Sequence, residues 1–195
     1  MTKEQIIDIA NQNNGYLYSK LVKENQIQTE NIVRLVKSGK LTKVDRGIYI
    51  TEEGIEDEFF INSIKYSRIV YSGETALFLN NISNKQSTIR EFTIPYGTNV
   101  PKIEGYNVKY DRKDSFDLGV EEIETPFGNK VRCYNKERCI CDLFVRPDYY
   151  DYETRIFAIN EYKNIYLDFK KLYEYAKILK VFEQVSNVFE VIASI

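Results

Sequence analysis

Apolar residues recur at helical spacing near the start of the chain. Thr2, followed three residues later by Gln5, forms a capping-box pattern, and Ile6, Ile7, Ile9 and Ala10 then supply one apolar face. Asn11 to Gly15 ends that helix, and Tyr16-Leu17-Tyr18 is a short extended piece. Ser19 is placed to cap a second helix with Leu21 and Val22 inward, and a turn follows at Asn25-Gln26-Ile27. Thr29 is placed to cap a third helix with Ile32, Leu35 and Val36 inward and Gly39 at its end. Two short helices separated by about four residues have helix-turn-helix spacing. Leu41 to Val44 and Ile48 to Ile50 then alternate as strands around Asp45-Arg46-Gly47, a hairpin in the position of a wing.

The acidic stretch Thr51 to Glu58 reads as a junction, which places a winged helix-turn-helix over residues 1–56 and a second domain over 57–195. In that second part Phe59, Phe60, Ile61 and Ile64 predict a helix, Arg68 to Tyr71 a buried strand and Gly73 to Leu79 a short helix. Phe92-Thr93-Ile94 and Asn107 to Tyr110 are strand segments. Ile123 to Thr125 and Lys130 to Cys133 flank the turn Pro126-Phe127-Gly128-Asn129. From Lys136 the period is helical, with a break at Arg146-Pro147 and helices near 152–163, 168–180 and from Phe182 to the end. The expected fold class is mixed α/β, a winged domain followed by an α/β domain that ends in helices.

Composition changes the picture in three places. With 43% hydrophobic residues in 195, the chain can build a core. It contains no histidine, so Ser/His/Asp and Cys/His triads are excluded. Its net charge of −2 conceals a polarity: residues 1–50 carry eight Lys/Arg against five acids, net +3, and the remainder is net −5. Such asymmetry is one sign of a nucleic-acid-binding end. The first residues show no basic segment leading into an apolar one, and no apolar run approaches the roughly 18 residues a membrane span needs, so the expectation is a soluble, cytoplasmic protein.

The candidate chemistry follows from these elements. Arginine pairs bidentately with guanine, and asparagine or glutamine with adenine, so the polar side chains of the third helix form a reading set and the wing adds cations. The candidate DNA-contacting residues are Ser19, Gln28, Thr29, Asn31, Arg34, Lys37, Lys43 and Arg46. Lys20, Lys23 and Lys40 read equally as phosphate contacts or solvated lysines. In the second domain Lys130, Arg132, Lys136 and Arg138 form a candidate basic patch. Cys133, Cys139 and Cys141 read as buried structural thiols, and no metal or cofactor site is expected. Glu161-Tyr162-Lys163 and Asp168-Phe169-Lys170 have the carboxylate-x-lysine form of metal-dependent nucleases, but they fall on helical segments of a chain with 29% charged residues, so no catalytic role is assigned.

Five short segments in order resemble the AbiEi-type antitoxins of the abortive-infection, type IV toxin-antitoxin systems. They are Gly15-Tyr16, Asp45-Arg46-Gly47-Ile48-Tyr49, Ser72-Gly73-Glu74-Thr75-Ala76-Leu77, Glu124 to Arg132, and Glu137-Arg138-Cys139-Ile140-Cys141-Asp142, where Cys139 replaces a more usual threonine. The resemblance implies a winged domain that represses its own operon at inverted repeats. It also implies a C-terminal domain that opposes a nucleotidyltransferase toxin without a stable complex, in a protein monomeric in solution and cooperative on DNA. The competing readings are a stand-alone regulator whose second domain senses a ligand, and a nuclease. A sensor would need a polar pocket in the second domain, which no sequence feature marks.

Overall fold

The computed structural model describes residues 1–85, 87–98, 105–166 and 168–193. The chain is a mixed α/β protein that divides into two compact units. One comprises Met1–Ser67 with Thr125–Asn129, and the other Arg68–Glu124 with Lys130–Ile195. Among the described residues no helix is long and apolar enough to cross a membrane.

The N-terminal unit runs α1 (Lys3–Asn11), β1 (Tyr16–Tyr18), α2 (Ser19–Glu24), α3 (Thr29–Lys37), β2 (Leu41–Asp45), β3 (Ile48–Thr51) and α4 (Glu58–Lys65). Thr2 closes the expected capping box: its hydroxyl accepts from the Gln5 amide, and the Gln5 side chain accepts from the Thr2 amide. Ser19 and Thr29 do not cap. Each is the first helical residue, preceded by Tyr18 and Gln28 in extended conformation, and neither helix start has a side-chain cap. Ser19 Oγ instead donates to the Gly47 carbonyl at 3.4 Å. Gly47 has φ +73°, and a Cβ there would sit 2.6 Å from that hydroxyl, so only glycine lets the hairpin loop close on Ser19.

The three strands form one antiparallel sheet in the order β1-β3-β2, with a register shift between Lys43 and Asp45. Period-2 alternation divides its side chains. Leu17 and Leu41 join Ile6, Ala10, Ile27, Ile32 and Leu35 in a core beneath the helices. Tyr16, Ile48 and Ile50 point the other way and are covered by Ile61, Phe60 and Ile64 of α4. This second apolar face moves the boundary from the expected 56 to Ser67. Left bare, it would expose side chains whose burial stabilises by about 1.5–3 kcal/mol each.

Asp57 fastens the end of this unit. Its fully buried carboxylate caps α4, with one oxygen accepting from the Phe59 and Phe60 amides at 3.0 and 3.3 Å. The other oxygen accepts from Thr125 Oγ1 at 2.6 Å and Asn129 Nδ2 at 2.9 Å. These bonds assign the Thr125–Asn129 turn to the N-terminal unit. Tyr16 Oη donates to the Ile55 carbonyl at 2.8 Å and accepts from the Asp57 amide at 2.6 Å. Tyr16→Phe should therefore cost about 1–3 kcal/mol, since it strands the buried Asp57 amide and removes the donor to the part-buried Ile55 carbonyl. Burial raises the Tyr16 phenol to about 12. A raised pKa means the bonded phenol's contribution is full below its ordinary value and is lost as pH rises through the folded one. Denaturant melts should therefore show a constant wild-type advantage up to about pH 10, shrinking toward pH 12.

The C-terminal unit comprises β4 (Val70–Tyr71), α5 (Gly73–Leu79), β5 (Arg90–Pro95), β6 (Tyr106–Asp111), α6 (Lys113–Phe116), β7 (Val120–Glu124), β8 (Lys130–Tyr134), α7 (Lys136–Val145), α8 (Tyr152–Tyr166), α9 (Phe169–Ile178) and α10 (Phe182–Ala193). The short α6 lacks an apolar period and was not expected. The sheet has the order β6-β5-β4-β8-β7, with β5–β6 and β4–β8 parallel and the other pairs antiparallel. Helix α7, capped by Asn135, is packed against by α5, α8, α9 and α10, which is why it buries Cys139, Ile140, Cys141 and Leu143. The expected last helix extends to the end of the chain, and its residues 194 and 195 lie outside the described residues.

Candidate nucleic-acid interface

Helix α3 is amphipathic. Ile32 and Leu35 are buried, while Thr29, Glu30, Val33, Arg34 and Lys37 share the exposed face. Arg34 and Lys37 lie in its last turn, where the helix dipole favours cations. Gln28 is exposed just before the helix. Asn31 is half-buried on the flank toward the core rather than on the open face, because it lies one turn before the buried Leu35. Sequence reasoning passed over two residues of this face, the acid Glu30 and Val33, the latter 46% exposed. An apolar side chain open to solvent among polar ones was the available signal. On the hairpin, Lys43 and Arg46 are exposed. Asp45 between them is held by Lys65 of α4 at 2.7 Å, an ion pair that lowers the Asp45 carboxyl and raises the Lys65 ammonium. Lys20, Lys23 and Lys40 are also exposed, with Lys20 3.9 Å from Glu24.

Chemically, this surface offers planar and point cations, uncapped amides at the start of α3, and one apolar contact. Those are the groups that meet phosphates and base edges.

The expected basic patch of the second unit does not form as a patch. Lys130 is exposed, Arg132 is half-buried with its guanidinium 5.8 Å from the Phe116 ring, and Lys136 is half-buried. Arg138 is buried at 4% exposure, pairs with Asp111 and Asp142 at 2.9 Å each, and lies 4.2 Å over the Tyr134 ring. It also donates to the carbonyls of Ser115 at 2.5 Å and Leu118 at 3.2 Å, so its donors are used internally. Charge alone could not distinguish it from a surface arginine.

The remaining candidates have structural positions. Asp168 caps α9 by accepting from the Lys171 amide at 3.0 Å, and Glu161 lies within α8 beside the buried Tyr162. Cys133, Cys139 and Cys141 are unpaired and buried. Burial pushes all three thiols up, Cys141 to about 12, so none is poised as a thiolate nucleophile. Among the described residues no three His, Cys, Asp or Glu side chains are grouped to hold a metal ion. The second unit does contain a recess of about 310 Å³ with a largely charged lining. Its walls come from five separated segments, so no local pattern in the sequence announces it.

No protein-family model matches the chain, and no curated protein matches it. Among solved structures it is similar to a crystal structure of the RV2827C protein from Mycobacterium tuberculosis. The TM-score is 0.54 at 10% identity, covering 89% of this chain and 70% of that one. At that identity the likeness concerns the fold alone: the chain shares a mixed α/β fold with that protein.

Proposed function

We propose that this protein is a cytoplasmic transcriptional repressor and antitoxin of the AbiEi type, whose N-terminal unit is a winged helix-turn-helix that binds inverted repeats in its own promoter. The observation that carries the reading is α3, which buries Ile32 and Leu35 and turns Arg34 and Lys37 outward, followed directly by a hairpin with Lys43 and Arg46 exposed. Arg34 reads a base edge, Val33 meets a thymine methyl, and Lys37, Lys43 and Arg46 neutralise phosphates. Gln28 and Thr29, exposed at the start of the helix, and Asn31, half-buried on its flank, belong to the same reading set. The C-terminal unit opposes a nucleotidyltransferase toxin without a stable complex, and the protein itself catalyses no reaction.

Arg34→Ala should cost about 1–3 kcal/mol of operator binding and relax discrimination at one base position. Lys43→Ala should weaken all sequences alike and flatten the salt dependence. The measurement is a gel-shift series against the promoter and scrambled DNA across salt concentrations. Unchanged affinity in the Arg34→Ala, Lys37→Ala, Arg46→Ala triple variant defeats the DNA assignment. The antitoxin part is tested by growth of cells expressing the partner toxin together with full-length protein or with the triple variant. Rescue by both supports a protective role separate from DNA binding, whereas rescue by neither counts against an antitoxin.

A further inference from the structure

The recess in the C-terminal unit is formed by Ser72-Gly73 after β4, Thr93 of β5, the end of β6 from Lys109 into α6, the last turns of α7 through Arg146, and the turn Ile178 to Lys180. Two of its five cations are already engaged. Arg138 is held by Asp111 and Asp142, and Lys109 lies 3.4 Å from Glu91 with its ammonium 3.7 Å over the Tyr149 ring. The other three, Arg112, Arg146 and Lys180, are exposed around the rim, and among the described residues none is in an ion pair. Asp114 lies on the rim with them, and Asp111 and Asp142, both paired with Arg138, also line the recess.

We propose that this recess is a binding site for a small phosphate-bearing molecule of about mononucleotide size. Its volume of about 310 Å³ falls at the lower end of the range of ligand pockets. The five cations face the lining acids Asp111, Asp114 and Asp142, with Glu91 against Lys109, which leaves the recess net positive and suited to an anion. The guanidiniums of Arg112 and Arg146 present forks suited to phosphate oxygens. Below them the Lys109 side chain is only 12% exposed. Burial holds its ammonium below the ordinary range, with Glu91 opposing that shift and the charge of Arg146 adding to it. The buried hydroxyls of Ser72 and Thr93, bonded to each other at 2.9 Å, complete a polar lining. A duplex phosphate would meet the rim but not the buried Lys109, which favours a small ligand that can enter. This site is independent of the DNA-binding proposal, since it uses no residue of the N-terminal unit.

The test is titration calorimetry of the full-length protein with inorganic phosphate, pyrophosphate and a set of nucleoside 5′-monophosphates, with acetate as control. The expected result is saturable one-site binding of at least one phosphate probe and none of acetate. In Arg146→Gln/Lys180→Asn that affinity should fall by about tenfold or more, with the melting temperature held. Asparagine is chosen because Lys180 has φ +62°, which asparagine tolerates. Arg112→Gln alone should give a smaller loss in the same direction. The proposal is overturned if no phosphate probe binds at millimolar concentration, if the double variant binds as wild type does, or if Arg34→Ala/Lys37→Ala abolishes the binding.

Discussion

Asp57→Ala should lower the stability of the N-terminal unit by about 3 kcal/mol or more, among the largest losses expected from a single side chain here. The carboxylate is buried and accepts four hydrogen bonds, two from the first turn of α4 and two from the Thr125–Asn129 turn. Loss of an N-cap costs about 1 kcal/mol by itself. The larger part comes from Thr125 Oγ1 and Asn129 Nδ2, which lose a charged acceptor in a place water does not reach. Asp57→Asn keeps the shape and one acceptor oxygen, so it should lose less. Denaturant unfolding followed by tyrosine fluorescence measures both. Equal stability of Asp57→Ala and wild type would show that the turn does not depend on this carboxylate.

Arg138→Met is the second large effect, about 3–5 kcal/mol at neutral pH, because it leaves Asp111 and Asp142 facing each other without their shared cation. The loss should depend on pH in a definite sense. Burial raises the Asp142 carboxyl even with Arg138 beside it, and Arg138 opposes the rise. Without the guanidinium the carboxyl goes higher still. A carboxyl raised in the folded state contributes stability that is full below its unfolded value and is lost as pH climbs through the folded one. The variant should therefore lie closest to wild type at about pH 4.5 and furthest from it at about pH 7.5. Paired melting curves at the two pH values decide this, and a gap that widens in acid would contradict the assignment.

Most elements were legible locally. The Thr2/Gln5 capping box, the apolar period of α3 and the glycine loop at Asp45-Arg46-Gly47 each act within a few residues, so sequence reading placed them close to where the structure has them. Helix-cap assignments at Ser19 and Thr29 missed by one position. The extended residue before each helix is Tyr18 or Gln28, and neither places a side chain on the first-turn amides. Asn31, read on the open face, is half-buried, and Val33, left unassigned in sequence, is exposed, since helical phase relative to the core depends on what the helix packs against.

The sequence by itself determined the order and type of most elements, the N-terminal concentration of positive charge and the absence of histidine chemistry, because those depend on side-chain identity and short-range spacing. Tertiary structure decided which faces needed covering and which charges were used up. Residues 58–65 read as a helix in sequence, but only the apolar outer face of Tyr16, Ile48 and Ile50 drew that helix into the N-terminal unit. Arg138 read as a surface cation until Asp111, 27 positions earlier, and Asp142 closed on it. The same holds for the recess, where Thr93, Arg112, Arg146 and Lys180 are far apart along the chain and converge through the sheet and α7. Burial and pairing are pairwise properties set by distant partners, whereas helical and strand periods are set by near neighbours along the backbone.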